Sequence, residues 1–428
     1  MIVIGALIGF LVLLILAVPI AQAMGFVSVI MFHLANINML VVPRRMYQGI
    51  NVFPLLAVPL FIFAGSVMSN GGLARRLVRF AQALVGWMRG GLALVNVLAS
   101  MLFGGVSGAA SADIASIGTM LIPAMEEEGY DREFAAAVTV TSATVGPIIP
   151  PSIPAVLYAY IAGNISVATL FIANLVPGVL VGLFLMAVAY LISVKRGYRK
   201  DRFVGFTQLA IRAGDGLLGL GGFLIIVGGT TAGVFTATEA GAIASVYALV
   251  IAFFVYRELK LSDLPKILLE TGLITALVMF LVATTSIFSW YVAFQNIPQR
   301  FVNAVLSLTT NRYVILLGMN LCLFVVGAFI DGTPAQLLLV PILAPLAYTI
   351  GINPYHIASI IIINLVFGLI TPPVGTSLFV GCSVAKLPME AIVKEMRWFF
   401  PAMLLVLLLV TFVPAISLTV PRLLGLIP

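Results

Sequence analysis

The sequence predicts an all-α protein that crosses a membrane many times and contains two inverted repeats, each with a re-entrant helical hairpin and a broken helix. Three observations lead to this fold class. The chain is too apolar for a soluble domain, and its apolar stretches have the length of membrane-spanning helices. In addition, two regions rich in glycine and proline at membrane depth resemble each other.

The composition excludes several classes of protein. Of the 428 residues, 62% are hydrophobic and 9% are charged, and the mean hydropathy is +1.20, whereas soluble domains carry about 25% charged residues. Soluble enzymes, nucleic-acid binders and disordered tails are therefore excluded. The net charge of +7 indicates the loop bias of a membrane protein. With 2 cysteines and 2 histidines, a disulfide framework is excluded and a structural zinc site is disfavoured.

The apolar stretches locate the spanning helices, and a chain of this length holds about ten crossings of about 20 residues each. Residues 2–20 have no preceding Lys or Arg and form a longer apolar run than a signal-peptide core, so we expect a first spanning helix. The predicted spans are 2–20, 22–42, 50–69, 165–194, 216–234, 237–256, 268–293 and 398–420.

Three segments depart from simple spanning helices. Residues 69–90 combine periodic apolar residues with several arginines, which predicts an amphipathic helix at the interface with its arginines near lipid phosphates. Residues 91–163 and 313–385 are apolar but interrupted by Gly, Pro, Ser and Thr. Irregular backbone at membrane depth is tolerated only where it is buried in protein or lines a polar cavity, so function is expected there.

A gapless alignment pairs these two interrupted regions. Most of the identities are Gly or Pro, the residues that set backbone conformation. The pairs include Gly105 with Gly327, Pro123 with Pro345, Gly129 with Gly351, and the segment 146–151 with 368–373. We therefore predict a twofold internal repeat.

Each repeat is predicted to contain three spans, an interfacial arm, a hairpin, a broken span and a final span. The hairpins cover 91–127 and 313–350, with tips near 104–111 and 327–333, and the broken spans cover 132–163 and 354–385. A hairpin that enters and leaves on one side adds no crossing, so each repeat crosses an odd number of times and the second is inverted. Inverted repeats with broken helices are typical of secondary transporters.

This organisation divides the chain into alternating regions. Scaffold spans and an interfacial arm occupy 1–90, and the first hairpin and broken span form a transport region at 91–163. Residues 164–312 return to scaffold spans and a second arm, 313–385 hold the second transport region, and 386–428 hold the final scaffold span. With the N-terminus outside, the positive-inside rule is satisfied, because the outer segments hold only five of the 22 basic residues: Arg44, Arg45, Arg300, Arg312 and Arg422.

Each repeat is predicted to hold one sodium ion between its hairpin tip and its break. Freed carbonyls and hydroxyls are hard oxygen ligands, and half-helix C-termini add partial negative charge. The alternative is that the small residues only permit close helix packing. The candidate sodium ligands are Gly105, Ser107, Ser111, Thr144 and Gly146 in the first repeat and Gly327, Asp331, Thr333, Gly368 and Thr371 in the second.

Few acidic residues lie at membrane depth, where an ionised carboxylate is costly. Asp331 is the best candidate for attracting a cation or for gating, and its alternative role is an N-cap of the second hairpin helix. Asp113 could equally be an N-cap of a hairpin helix. Glu239 follows Thr236 in a capping-box pattern, which favours a cap over a role in coupling.

The helix starts after the two Pro-Pro pairs present free amides that attract anions. Ser152, Thr376 and Ser377 lie beside them and are candidate ligands of a substrate carboxylate. The alternative is that these prolines simply start helices. No Gly-Lys-Ser/Thr phosphate loop and no nucleophile–base or metal cluster occurs in the sequence, so we expect a protein that is not an enzyme and needs no cofactor beyond coupling ions.

Four segments together resemble the large membrane subunit of TRAP (tripartite ATP-independent periplasmic) transporters. They are GGVSGAASAD at 104–113, GPIIPPS at 146–152, ATEAGA at 237–242 and GLITPPVG at 368–375. The resemblance covers nearly the whole chain. It implies an elevator-type carrier of the bacterial inner membrane that couples uptake of an organic acid to a sodium gradient, with sodium at the hairpin tips and breaks.

The resemblance also implies partners and a substrate class. The partners are a small four-helix membrane subunit, expected here as a separate chain, and a soluble periplasmic substrate-binding protein. Sialic acid or a related sugar acid is favoured, and a C4-dicarboxylate is the alternative. A stand-alone ion-coupled carboxylate transporter is the main competing interpretation, followed by a channel or a membrane-embedded enzyme.

Overall fold

Helices form most of the computed structural model, which describes residues 2–16, 18–163, 165–200 and 205–428. The first half contains α1 (Ile2–Ile15), α2 (Ile20–Leu34), α3 (Val41–Ile50), α4 (Ala57–Asn70), α5 (Leu73–Val85), α6 (Gly91–Ser107), α7 (Ala110–Asp113), α8 (Thr119–Glu127), α9 (Arg132–Ser142), α10 (Ile153–Ala162) and α11 (Val167–Arg196). The second half contains α12 (Phe206–Thr231), α13 (Ala237–Val250), α14 (Leu264–Phe294), α15 (Ile297–Leu308), α16 (Arg312–Phe329), α17 (Gly332–Thr349), α18 (Pro354–Gly368), α19 (Thr376–Ala385), α20 (Met389–Met396), α21 (Phe400–Phe412) and α22 (Ala415–Leu423).

Short turns of other helix types extend several of these elements. Turns of 3-10 helix cover Phe53–Leu56, Ala143–Val145 and Leu261–Asp263, and π-helical turns cover Ile114–Gly118 and Ile251–Val255. Within the described residues, 7 helical segments are long and apolar enough to cross a membrane, or up to 9 if each bent pair counts as one span. The predicted multi-pass all-α fold is confirmed.

The predicted span 22–42 differs from the structure. α2 ends at Leu34, and Val41–Ile50 forms a separate amphipathic helix. Asn36 takes a left-handed conformation with φ of 53°, and the Asn38 side chain accepts a hydrogen bond from the Leu40 amide at 2.9 Å. Asparagine tolerates this conformation and offers the backbone a local partner in place of the helical one, so the apolar run breaks there.

Both predicted hairpins are present. In hairpin 1, α6 ends at Ser107, Gly108 reverses the chain with φ of 62°, and α7, a π turn and α8 lead back. In hairpin 2, α16 ends at Phe329 and α17 begins at Gly332. Both predicted broken spans are present as well, since irregular backbone separates α9 from α10 and α18 from α19.

The two repeats interlock reciprocally. α10, which follows the first break, packs against α17 of hairpin 2. α19, which follows the second break, packs against α9 and the π turn of hairpin 1. This exchange brings the two hairpin tips and the two breaks together around one cavity. α11 packs against α6, α18 and α21, so the final spans lie against the hairpin regions.

The predicted interfacial arms are α5 and α15. α5 packs on α12 and α6, and α15 packs on α17 and α14. Arg76 of α5 forms an ion pair with Glu258 at 2.6 Å and lies over the Tyr256 ring at 3.7 Å. This arginine fastens the first arm to the connection between α13 and α14.

Candidate ion and substrate sites

A cavity of about 360 Å³ lies between the hairpin tips and the breaks, with α4 and α14 forming its remaining wall. Its polar lining combines hydroxyl, amide and carboxyl groups with apolar side chains, which is typical of a small-molecule site. These polar residues are Ser111, Asp331, Thr333, Gln336, Thr376 and Ser377. Among the described lining residues, Asp331 carries the one charge. All of these residues except Gln336 are predicted site residues.

At tip 2, Asp331 is an N-cap and also contacts the broken helix. Its Oδ1 accepts a hydrogen bond from the Thr333 amide at 3.1 Å, which confirms the capping role. Its Oδ2 accepts one from the Thr376 hydroxyl at 2.8 Å. The Val374 amide donates to the Ala328 carbonyl at 3.2 Å. Tip 2 is therefore joined to the start of α19 by side-chain and backbone hydrogen bonds.

At tip 1, the carboxylate of Asp113 is fully buried. Asp113 is not an N-cap: α7 begins after Ala109, and Oδ1 of Asp113 accepts a hydrogen bond from the Ser107 hydroxyl across the tip. Its Oδ2 has no hydrogen-bond partner among the described residues and lies against the position that a Cβ on Gly146, at the first break, would occupy. An ionised oxygen without a partner is costly in the protein interior. A bound cation or a proton on the carboxyl group would offset this cost.

Two glycine pairs allow the tips to approach the breaks. Gly104 lies against Gly146 in the first repeat, and Gly327 lies against Gly368 in the second. A methyl group added to Gly368 would lie 2.5 Å from the carbonyl carbon of Gly327. The alignment pairs Gly105 with Gly327, but Gly105 instead faces the Phe223 ring of α12. Its neighbour Gly104 makes the contact with the break.

Three predicted hydroxyl ligands bond to nearby backbone. Thr144 donates to the Thr141 carbonyl at 2.6 Å, and Thr371 donates to the Phe367 carbonyl at 2.8 Å. Both hydroxyl oxygens keep a lone pair for an ion. The hydroxyl of Ser152, a predicted substrate ligand, accepts from the Ala155 amide at 3.2 Å, donates to the Pro147 carbonyl and caps α10. Ser152 is fully buried and lies outside the cavity lining.

Glu239 lies away from the cavity. Its carboxylate accepts hydrogen bonds from the amide and hydroxyl of Thr236 at 2.8 and 2.9 Å, and the Thr236 hydroxyl accepts from the Glu239 amide. This reciprocal arrangement is a capping box at the start of α13. The favoured capping interpretation is confirmed.

Buried polar pairs, which the sequence reasoning missed, join each hairpin to its own broken helix. Asn96 of α6 donates to the Thr139 hydroxyl of α9 at 2.7 Å. Asn364 of α18 donates to the Asn320 side chain of α16 at 2.8 Å. All four side chains are buried. Their signal in the sequence is a polar residue in an otherwise apolar helix, where a partner is required.

Comparison with known proteins decides the family. Residues 7–416 match the family described as "Tripartite ATP-independent periplasmic transporter, DctM component". The chain belongs to this family. As a DctM-family protein it is a multi-pass protein of the bacterial inner membrane and one component of a tripartite transporter, not an enzyme, as the sequence resemblance predicts.

Two relatives of this DctM-family protein have named substrates. It is 39% identical over 401 residues to the C4-dicarboxylate TRAP transporter large permease protein DctM of Pseudomonas aeruginosa, covering 94% of this chain and 93% of that one. It is 37% identical over 427 residues to the sialic acid TRAP transporter large permease protein SiaM of Vibrio cholerae, covering 98% of each. Both relatives are aligned over nearly their full length.

The fold is similar to that of a solved transporter. The crystal structure of the Alcanivorax borkumensis YdaH transporter, described as having an unusual topology, matches 84% of each chain with a TM-score of 0.59 and 14% identity. At this level of identity the likeness shows the fold alone.

Proposed function

We propose that the chain is the membrane permease of a sodium-coupled carrier that takes up an organic acid. The observation that carries this proposal is the cavity between the two hairpin tips, with a fully buried carboxylate behind one of them whose Oδ2 has no partner among the described residues. Midplane cavities formed by broken helices are where secondary transporters bind substrate and coupling ions.

A sodium ion fits the ligands of tip 1. Asp113 supplies a carboxylate oxygen, Ser107 and Thr144 supply hydroxyls, and the break beside Gly146 supplies carbonyls. These are hard oxygen donors, which suit a hard cation, and the cation offsets the cost of burying the Asp113 charge. In the second repeat, Thr371, Thr333 and the carbonyls around Gly327 and Gly368 are the proposed ligands.

The substrate is proposed to occupy the cavity beside these ions. Ser111, Thr333, Gln336, Thr376 and Ser377 offer many hydrogen-bond partners, which favours a polyhydroxylated sugar acid such as sialic acid over a C4-dicarboxylate. The amides at the start of α19 attract its carboxylate. The relatives named for sialic acid and for C4-dicarboxylates support the organic-acid class.

Transport is proposed to follow an elevator mechanism. The regions 91–163 and 313–385 move as one unit against the scaffold spans and arms, and their contacts with α11 and α21 favour adding these helices to the moving unit. A small four-helix membrane subunit binds the scaffold as a separate chain, and a periplasmic substrate-binding protein delivers the acid. The tripartite nature of the family supports both partners.

Reconstitution tests this function. The permease and the small subunit are reconstituted into proteoliposomes, and the binding protein of the same system is added outside. Uptake of radiolabelled sialic acid and succinate is then measured under an inward sodium gradient. We expect uptake of one acid that requires both sodium and the binding protein. Uptake at full rate in potassium alone rejects sodium coupling, and uptake by the permease alone favours a stand-alone carrier.

A further inference from the structure

A second pocket, of about 420 Å³, lies between α3 and α14 on one side and α10 and α17 on the other. We call it the Arg45 pocket after the basic residue in its lining. Its remaining polar lining consists of Gln48, Tyr160, Thr285, Ser286 and Ser289. The predicted topology places it on the outer face of the membrane, opposite the face that carries most of the basic residues.

The Arg45 pocket carries an uncompensated positive charge. The Arg45 guanidinium lies over the Trp290 ring at 5.0 Å from its centroid, and Trp290 stacks on Phe294 at 5.1 Å. No acidic side chain is among the described residues that line the pocket. A guanidinium held over an aromatic face keeps its N–H groups directed outward for a carboxylate.

A buried hydroxyl in the same lining also lacks a partner. Thr285 is 2% exposed, and its Oγ1 has no hydrogen bond within the described residues. Such a group is costly unless a ligand or water satisfies it. Nearby, the Tyr160 hydroxyl donates to the Gly49 carbonyl at 2.6 Å, which joins α10 to α3 across the pocket.

The Arg45 pocket complements the central cavity. The cavity between the hairpin tips, which we call the central cavity, has no basic side chain among its described lining residues, so no side chain there attracts an anion at long range. The Arg45 pocket supplies that attraction, and a charged group at a cleft raises the rate at which an oppositely charged solute associates. Its walls also belong to different regions, since α3 and α14 are scaffold and α10 and α17 are transport region.

We propose that the Arg45 pocket is a separate binding site for a carboxylate, which captures the organic acid at the outer face before the central cavity is loaded. This role rests on the proposed function for its place in transport. The binding itself is a property of the pocket and is testable without transport.

Trp290 provides a direct readout of binding. The chain has 3 tryptophans, so the W87F/W398F variant leaves Trp290 as the single indole, next to Arg45. In the complex with a small subunit whose own tryptophans are replaced by phenylalanine, we expect titration with sialic acid or succinate to change the Trp290 emission saturably. In the same background, Arg45→Gln should raise the apparent Kd by about tenfold, the effect of losing a charged hydrogen-bonded contact.

The matched control is Arg44→Gln, which removes the neighbouring basic residue outside the pocket lining and should leave the Kd unchanged. The proposal is overturned if neither acid changes the Trp290 emission, or if Arg45→Gln and Arg44→Gln bind alike.

Uptake assays then separate binding at the Arg45 pocket from the proposed function in transport. Saturable Arg45-dependent binding without sodium-driven uptake supports the pocket and rejects the proposed function, whereas uptake with an unchanged KM in Arg45→Gln rejects the capture role.

Discussion

The two hairpin tips share a backbone design but use their acidic residues differently. Asp331 of tip 2 lines the cavity, and both of its oxygens accept hydrogen bonds, from Thr333 and Thr376. Asp113 of tip 1 is fully buried behind the cavity, and one of its oxygens has no partner among the described residues. The two tips therefore place their carboxylates differently, and under the proposed function only tip 1 uses its carboxylate as a ligand of the coupling ion.

The physical cost of burial explains why this difference matters. The single hydrogen bond from Ser107 does not compensate an ionised carboxylate in the protein interior, where the penalty is several kcal/mol per ion. The Asp331 carboxylate is partly exposed and accepts two hydrogen bonds, so its burial penalty is smaller. Under the proposed function, tip 1 should therefore depend on the proposed sodium ion, and the stability of tip 2 should depend on its helix cap.

The largest effect is expected from Asp113→Asn, which keeps the shape of the side chain and removes its charge. Losing a charged contact costs about 1.5–3 kcal/mol, so the half-saturating sodium concentration for uptake should rise by about tenfold or more. Proteoliposome uptake measured over a sodium series checks this. The control Glu126→Gln removes an exposed acid at the base of the same hairpin, paired with Arg132, and should change little. An unchanged sodium curve for Asp113→Asn means that the carboxyl is protonated and holds no cation.

The next-largest effect is expected from substitutions at the glycines where a tip meets a break. Gly368→Ala places a methyl group against the backbone of Gly327, and no rotamer change relieves this contact. Thermal unfolding in detergent should therefore show a free energy of unfolding lower by about 1–3 kcal/mol.

Gly146→Ala instead places its methyl group against the Asp113 carboxylate and should weaken sodium activation more than stability.

Gly318→Ala is the matched control for both substitutions. Gly318 lies inside α16 with no atom within 4 Å of an added methyl group, so alanine should stabilise the helix by up to about 1 kcal/mol. If Gly368→Ala is as stable as Gly318→Ala, the close approach of tip and break does not constrain the second repeat.

Much of this architecture was predictable because local residue types determine it. Glycine reverses the chain of hairpin 1 at Gly108, and glycine and proline lie in both breaks, so the pattern alone located both hairpins and both broken spans. The same local logic identified the Glu239 capping box. It failed at Asn36 and Asn38, where two polar residues within an apolar run ended a helix that hydropathy alone would continue.

The role of Asp113 was not predictable for a different reason. Whether a carboxylate caps a helix or faces a buried site depends on how the first break packs against the tip, which is a contact between distant segments. The pairing of Asn320 with Asn364 and the contact of Gly104 rather than Gly105 with Gly146 also arise only when the helices pack. Sequence reasoning therefore located the region of the site and most of its candidate residues, but not the place of Asp113 behind tip 1.

The smallest effect is expected from Asp331→Asn. Asparagine caps a helix about as well as aspartate, and its side-chain oxygen still accepts from Thr333 or Thr376, so the free energy of unfolding should change by less than about 0.5 kcal/mol. The half-saturating sodium concentration should shift by less than about threefold, because the tip loses a charge that is already hydrogen-bonded and partly exposed.

Asp331→Ala, which removes the cap, should lower the free energy of unfolding by about 1 kcal/mol. Sodium curves and thermal unfolding of the two variants together check the assignment. If Asp331→Asn abolishes sodium activation as strongly as Asp113→Asn, both repeats carry charged cation sites and the division of tasks between the two tips is wrong.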